Sequence, residues 1–544
     1  MQMRKGFIFW GLLAALQVFP GVLFAEEEEP DYAKTRPRAA VRDELTTVFS
    51  RSDIEFDFRK SYIASEAQIF TALYEGLFSY HPFTMEPLPA LARNWEISDD
   101  KMLWTFTLRD NAKFQNGDPV RAEDFRAAWI SLLDPAKDAP YSSLFDVIEG
   151  ARDYRLGIIK DPASVGIEAP NEKTLIVRLS SPAPFFRSML CHHSFSPIHP
   201  SMLNEEDWSE IPIISNGPFY MAERSTGSPD DRIVLNKNER YWDAGSISLK
   251  KIILAFADDG DEASALWNSG EARWISGDVN IDALTDRSGI TLNEMFATHY
   301  YFIRSAEKPW DDHRIRRALS LALPWEEIRE GMYLPAKTLI LPIQNYPKID
   351  GVYLTDIAEA ERLLVEAGYP GGRGLPDLVI LLTPSRESAR VGSLMANAWK
   401  NKLGIPVKID IVPDGQYFQS LKRNDYAVGS STWIGDFADP YTFLQMWRRD
   451  SNLNTARHSD DDYENLMDKS MGEEGGRRLE TLAEAETLLL NRGSVLPISY
   501  SPALNIVDTD ELGGWYPNAL DIHPFKYINF KILKPLPGVA WFNP

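Results

Sequence analysis

The most constraining feature of this sequence is an ordered alternation of helix and strand signals between residues 355 and 434. Asp356 occupies a helix N-cap position, with Glu359 three residues later. The runs "LVILLTP", "PVKIDIVP" and "DYAVGSSTWI" are typical of strands, and helical segments separate them, the longer one at 387–403. Strands that alternate with helices in this order predict a parallel α/β sheet.

A second set of signals lies nearer the N-terminus. Residues 103–109 alternate between apolar and polar side chains, which predicts a half-buried strand, and Asn116-Gly117 predicts a hairpin turn. The following "AEDFRAAWISLLDP" has helical periodicity and stops at Pro135. "EKTLIVRL" repeats the strand pattern. We therefore expect a strand pair that feeds an amphipathic helix.

The first residues resemble an export signal. Arg4 and Lys5 form a basic start, residues 7–24 are apolar, and Ala25 precedes an acidic run. We expect cleavage near Ala25, followed by a flexible leader at 26–40. An uncleaved membrane anchor is the alternative, although polar and proline interruptions leave the apolar run barely long enough to span a bilayer.

Composition narrows the class of protein. The 544 residues, 44% of them hydrophobic, can bury more than one core, so two or three lobes are expected. Cys191 is the only cysteine, so neither a lipid anchor after the signal segment nor an intrachain disulfide is expected. The net charge of −22 repels phosphate backbones, which excludes nucleic acid as an expected partner. A soluble, exported protein follows.

Two carboxylates stand out in "STWIGDFADPYTFLQMW", a run that otherwise has the composition of a core. Asp439 precedes Pro440 and apolar residues at helical spacing, so we interpret it as an N-cap with proline at the first helical position. Asp436 follows a predicted strand and has no such explanation. Burying a lone carboxylate is unfavourable by several kcal/mol, so it needs a cation, either from a protein salt bridge or from a ligand.

These residues and several other segments resemble the oligopeptide-binding proteins of ABC importers, solute-binding protein family 5. The similarity runs from about Tyr62 to Phe530. Its landmarks, in order, include "LYEGLF", "PALARNWEISDDKMLWTFTLRDNAKFQNGDPVRAEDFRAAWISLLDP", "SNGPFYM", "NERYWD", "DDHRIRRALSLAL", "EAERLLVEAGYPGGRGLP", "LGIPVKI", "DYAVGSSTWIGDFADPYTFLQMW" and "NTARHSDDDYENLM".

The resemblance implies an α/β protein whose two lobes close by a hinge motion on an extended peptide, with an extra small domain in the first lobe. It also implies a monomer that delivers its oligopeptide to permease subunits, without catalysis, metal or cofactor. The expected divisions are a signal peptide at 1–25, lobe I at 26–87, 200–295 and 505–544, an extra subdomain at 88–199, and lobe II at 296–504.

In the resembled family, the aspartate after the tryptophan-containing strand binds the ligand α-ammonium, and Asp436 occupies the matching position. Ser430 stands where binders of short peptides often carry an arginine for the peptide carboxylate. Glu75 matches a cleft-facing acid, although it could be a structural pair. The complete predicted ligand site is Asp436, Trp433, Thr432, Ile434, Tyr417, Ser430, Tyr500 and Glu75.

A metal site is one alternative, because zinc and nickel ligand types cluster in "CHHSFSPIHP". They are Cys191, His192, His193 and His199. The spacing matches no closed site, and adjacent histidines on an extended segment should point to opposite faces. A nickel-binding protein of the same family nevertheless stays open as an alternative.

Two other functions stay open as alternatives. The 15 Trp, 21 Tyr and 27 Phe would permit oligosaccharide stacking, although a neutral sugar would leave Asp436 without a cation. An exported hydrolase would need a carboxylate pair drawn from Asp436, Asp439 and Glu75. Against catalysis, the chain contains no "GxSxG", "HExxH" or phosphate-loop pattern.

Overall fold

The computed structural model describes residues 42–50, 54–225 and 231–532. These residues form a two-lobed α/β protein, as the sequence predicts, around a large mixed sheet. The predicted signal peptide and leader lie outside the described residues. No helix of the described ranges combines the length and the apolar character needed to cross a bilayer.

The strands and helices follow one another through the described chain. The strands are β1 (Glu44–Ser50), β2 (Phe78–Tyr80), β3 (Pro87–Pro89), β4 (Ala92–Ile97), β5 (Leu103–Leu108), β6 (Ile167–Asn171), β7 (Thr174–Arg178), β8 (Phe219–Ser225), β9 (Arg232–Lys237), β10 (Lys251–Ala257), β11 (Trp274–Ser276), β12 (Ile290–Ile303), β13 (Leu378–Leu382), β14 (Val407–Ile411), β15 (Val428–Ile434), β16 (Val495–Val507), β17 (Leu512–Gly513) and β18 (Asn529–Phe530). The α-helices are α1 (Ala64–Leu73), α2 (Ala122–Leu133), α3 (Ala151–Arg155), α4 (Phe186–Met189), α5 (Gly260–Asn268), α6 (His313–Leu321), α7 (Trp325–Arg329), α8 (Ile357–Glu366), α9 (Arg386–Leu403), α10 (Asp414–Ser420), α11 (Tyr441–Leu444), α12 (Asp461–Met471) and α13 (Gly475–Asn491).

The predicted alternation of helices and strands after residue 355 is confirmed. Strand β13 pairs in parallel with β14 and with β15. The Asp356 side chain accepts a hydrogen bond from the Glu359 backbone N–H, which caps α8, and Gly404 ends α9 with φ +68°. The sheet is not parallel throughout, however, because β15 pairs antiparallel with β12.

Two long strands connect the lobes. Strands β12 and β16 pair with each other along their length, and the register shifts between Glu294 and Thr298. In the order of the sheet, the strands beyond β16 are β11, β1, β10, β9 and β8. The strands beyond β12, on the other side of this pair, are β15, β13 and β14. The irregular segment interrupts the ladder where the two halves of the sheet meet.

A smaller antiparallel sheet, in the order β4-β5-β7-β6, lies within the predicted 88–199 subdomain. The strand at 103–108 and helix α2 are confirmed, with Phe125, Trp129 and Leu132 buried. The strand pair expected at Asn116-Gly117 is reduced to one isolated bridge, because β5 pairs with β4 and β7 instead. The domain boundaries stay a prediction.

Candidate ligand-binding site

A cavity of about 820 Å³ lies between the lobes. One wall includes residues from 62–80 and 134–156, together with Cys191, His192 and His193. The opposite wall includes residues from 431–436 and 446–457. Strand β15 therefore leads directly into the cavity, which places its C-terminal end beside the facing lobe.

Asp436 follows the end of β15 and is fixed through its backbone. Its N–H donates to the Thr442 hydroxyl at 2.9 Å, and its carbonyl accepts from the Tyr80 hydroxyl at 3.2 Å. The residue is only 8% exposed and lines the cavity. The carboxylate is thus held in a defined position with little access to bulk water.

The Asp436 carboxylate receives hydrogen bonds from neutral groups. The Tyr141 hydroxyl donates to Oδ1 at 3.2 Å, and the Thr442 hydroxyl donates to Oδ2 at 3.1 Å. His192 Nε2 lies 3.8 Å from Oδ1. Burial lowers the pKa of His192 to about 3, so this ring is neutral at physiological pH.

No lysine or arginine nitrogen within the described ranges lies within 4.0 Å of the Asp436 carboxylate. The basic residues that follow it in sequence have other partners, since Arg448 pairs with Glu464 and Arg449 with Asp461. The structure therefore does not form the internal salt bridge that was the alternative. Burial raises the pKa of Asp436 to about 7, although its hydrogen bonds oppose the shift.

Asp439 has the structural role that the sequence predicts. Its Oδ1 accepts a hydrogen bond from the Tyr441 backbone N–H at 2.9 Å, at the start of α11. Arg478 binds the same carboxylate with two hydrogen bonds of 2.8 and 2.9 Å. The helix begins one residue later than expected, at Tyr441 instead of Pro440.

The end of β15 presents an open edge to the cavity. The Gly435 N–H donates to the Phe296 carbonyl, which fixes which residues of β15 bond to β12. In an antiparallel pair, every second residue bonds to the neighbouring strand. Thr432 and Ile434 are the residues in between, so their N–H and C=O groups point away from β12. No strand of the described residues pairs with these two on that side. Both line the cavity, as does Trp433, whose buried indole N–H makes no hydrogen bond within the described chain.

Three other predicted site residues do not line this cavity. Tyr417 and Ser430 hydrogen-bond to each other, with the Ser430 N–H donating to the Tyr417 hydroxyl at 2.8 Å. The Tyr500 hydroxyl bonds to the hydroxyl of Thr338 and lies 3.5 Å from the Ile340 carbonyl. That these three residues contact the ligand stays a prediction.

Glu75 lines the cavity but already has a cation. Lys526 Nζ lies 2.8 Å from its Oε1, and the Tyr241 hydroxyl and Trp242 indole N–H each donate to its carboxylate at 2.5 Å. Burial alone would lower the pKa of Lys526, but the Glu75 carboxylate, together with Tyr527, outweighs that effect and raises it. Glu75 therefore forms a structural pair in the cavity wall.

The sequence missed the neutral partners of Asp436. Contact between Thr442 and Asp436 could have been predicted from the local sequence, because Thr442 lies in the helix that the Asp-Pro pair introduces. Tyr80, Tyr141 and His192 had none, since they come from segments far away in sequence. Tyr141, for example, is 295 positions from Asp436.

The histidine pair departs from expectation. The rings of His192 and His193 are 3.9 Å apart, not on opposite faces, because a 3₁₀ turn begins at His193 and the extended conformation of His192 does not continue past it. The described residues contain no group of three or more His, Cys, Asp or Glu side chains arranged to hold a metal ion.

Comparisons with known proteins agree with this architecture. The family model of bacterial extracellular solute-binding proteins, family 5, middle region, matches residues 86–455. The oligopeptide-binding protein OppA of Bacillus subtilis is 28% identical over 473 residues, covering 82% of this chain and 85% of the relative. The structure of the Escherichia coli murein tripeptide binding protein MppA has a TM-score of 0.80 and 25% identity, covering 91% of this chain and 99% of that one. A Borrelia burgdorferi oligopeptide-binding protein, OppAIV, has a TM-score of 0.79 and 26% identity, covering 90% and 100%.

Proposed function

We propose that this protein, which belongs to the bacterial extracellular solute-binding proteins of family 5, captures oligopeptides between its lobes for an ABC importer. The observation that carries the proposal is Asp436. It is a buried carboxylate on the cavity wall, and within the described residues it receives only neutral hydrogen-bond donors. The α-ammonium of a peptide supplies the missing cation.

The open edge of β15 provides the second part of the site. An extended peptide that lies beside Thr432 and Ile434 would add as a strand and bond through its backbone. Such bonds do not depend on side-chain identity, so one site can hold many sequences. The unpartnered Trp433 indole N–H offers a further donor to the ligand.

The wider biological role follows from the family and belongs to the same proposal. The protein binds its peptide in the periplasm as a monomer and passes it to permease subunits, with no catalytic step. Closure of the two lobes is stabilised by ligand contacts that exist only in the closed form. The relatives' names support peptide capture, and the strands that join the lobes provide the connection about which they would move.

The decisive experiment removes the charge of Asp436 and the charge of the ligand separately. We expect Asp436→Asn to weaken binding of trialanine by about 2–5 kcal/mol, roughly 30-fold to several thousand-fold in Kd, because one partner of a buried ion pair is lost. N-terminal acetylation of trialanine should weaken binding to the wild-type protein by a similar factor. Titration calorimetry measures both effects.

The matched control is Asp510→Asn, which removes an exposed carboxylate that does not line the cavity. It should leave the Kd for trialanine unchanged. In Asp436→Asn, acetylating the peptide should have little further effect, since the pair is already broken. Undiminished affinity in Asp436→Asn would remove this residue from the peptide site.

An oligosaccharide or a hydrolysed substrate fits the site less well. A neutral sugar supplies no cation to Asp436. A carboxylate pair for hydrolysis is not available from the predicted acids, because Glu75 is bound to Lys526 and Asp439 to Arg478. Peptide capture therefore explains the electrostatics of the cavity best.

A further inference from the structure

Strands β13 and β15 separate close to the cavity, and a tyrosine hydroxyl lies where they part. Val428 pairs with Ile380, the one pair that these strands form. Farther along β15, the Ser430 N–H donates to the Tyr417 hydroxyl at 2.8 Å. That hydroxyl also lies 3.1 Å from the Ser430 carbonyl and 3.4 Å from the Leu381 carbonyl. Tyr417 thus takes the place of a neighbouring strand at Ser430.

The Tyr417 contact divides the edge of β15 into a closed part and an open part. Tyr417 and Ser430 are 5% and 4% exposed, and neither lines the cavity. By contrast, Thr432 is exposed, and both Thr432 and Ile434 line the cavity. Since Ser430, Thr432 and Ile434 face the same edge, two consecutive positions remain for an added strand.

The position of Asp436 sets the direction of the ligand. A peptide whose ammonium binds Asp436 and whose backbone follows β15 runs antiparallel to it, towards Ser430. Ile434 then lies opposite ligand residue 1 or 2, and Thr432 lies opposite the residue two positions later. A third position, at Ser430, would fall on ligand residue 5 or 6.

We propose that Tyr417 is a specificity-determining residue that ends the backbone ladder between ligand and β15 after two positions. The inference rests on the proposed function and deepens it. The protein binds the backbone of ligand residues 1 to 4 and leaves later residues free of this strand. Longer peptides are therefore accepted without a backbone requirement beyond residue 4.

The test is a backbone N-methyl scan of hexaalanine, with one methylated amide at a time from residue 2 to residue 6. Each N-methyl group removes one donor N–H. We expect losses of about tenfold in affinity only among residues 2 to 4, the size of one backbone hydrogen bond. Methylation at residue 5 or 6 should change the Kd less than about twofold. Titration calorimetry gives the Kd of each analogue.

A tenfold loss at residue 5 or 6 would show that the ladder continues past Thr432 and would overturn the inference while leaving peptide capture intact. Hexaalanine that does not bind at all would contradict the proposed function, and the inference with it. The two failures are thus distinguishable.

Two variants test whether Tyr417 itself ends the ladder. Tyr417→Ala should expose Ser430 and create a new loss of about tenfold at residue 5 or 6, whereas Tyr417→Phe keeps the ring in place and should not. An alanine variant that folds and retains the wild-type pattern would remove Tyr417 from this role. If the alanine variant does not fold, Tyr417→Leu replaces it, with the same new loss expected at residue 5 or 6 and the same contradicting result.

Discussion

Asp436 and Glu75 are buried acids on opposite walls of one cavity, and the difference that matters between their surroundings is a cation. Glu75 has a lysine ammonium at 2.8 Å in addition to two neutral donors. Asp436 has neutral donors from Tyr141 and Thr442 and, within the described residues, no such cation. The comparison separates a carboxylate that belongs to the fold from one whose counter-ion must come with a ligand.

The largest expected effect comes from making Glu75 resemble Asp436. Lys526→Met should reduce the free energy of unfolding by about 3–5 kcal/mol, because it leaves a buried charge without its partner. Urea unfolding measures the change. Lys250→Met, which removes an exposed lysine paired with Asp43, is the control and should have no measurable effect. Equal behaviour of the two variants would show that the Glu75 pair is not structural.

A somewhat smaller effect concerns stability and pH in the protein without ligand. The pKa of Asp436 is raised to about 7 in the folded protein, so this group stabilises the folded state when protonated. That contribution is fully present below the unfolded pKa of about 3.9 and is lost as pH rises to about 7. Asp436→Asn should therefore reduce the fall in unfolding free energy between pH 5 and pH 8.

The expected difference between wild type and Asp436→Asn over this interval is up to about 3 kcal/mol, from 1.36 kcal/mol for each pKa unit. Burial also raises the pKa of Glu486 to about 7, so the variant should keep the part of the pH dependence that Glu486 contributes. Identical pH profiles for the two proteins would mean that Asp436 does not titrate in this range.

The smallest expected effect is the change in affinity for peptide over one pH unit. Below pH 7, Asp436 is increasingly protonated in the free closed site and cannot pair with an ammonium. Affinity for trialanine should fall by about tenfold for each pH unit below 7 and reach a plateau above it. Asp436→Asn should show a flat profile from pH 5 to pH 8, and a flat wild-type profile would contradict the assignment.

The sequence predicted Asp436 but not its surroundings, for a physical reason. Capping residues and apolar periodicity are local, so Asp356, Gly404 and the strand before Asp436 could be placed in order. Asp436 stood out as a candidate because a helix-capping role explained its neighbour Asp439 and no such role explained Asp436.

Long-range pairings leave no local signal. Lys526 is 451 positions from Glu75, and Arg478 is 39 from Asp439. The antiparallel β12 beside β15 was missed for the same reason. Local signals define the elements, whereas packing decides which elements become neighbours.

The hydrogen bond from Tyr141 crosses the gap between the lobes, and this has a thermodynamic consequence. Separating the lobes would remove Tyr141 and let solvent reach Asp436, which would bring its acidity back towards that of an ordinary aspartate. Closing without a peptide near neutral pH would then draw a proton from the buffer, while closing around an ammonium would not. Binding a peptide to free protein that is already closed would release that proton, so the heat of binding to this form should vary with the ionisation enthalpy of the buffer, whereas binding to the open form should not.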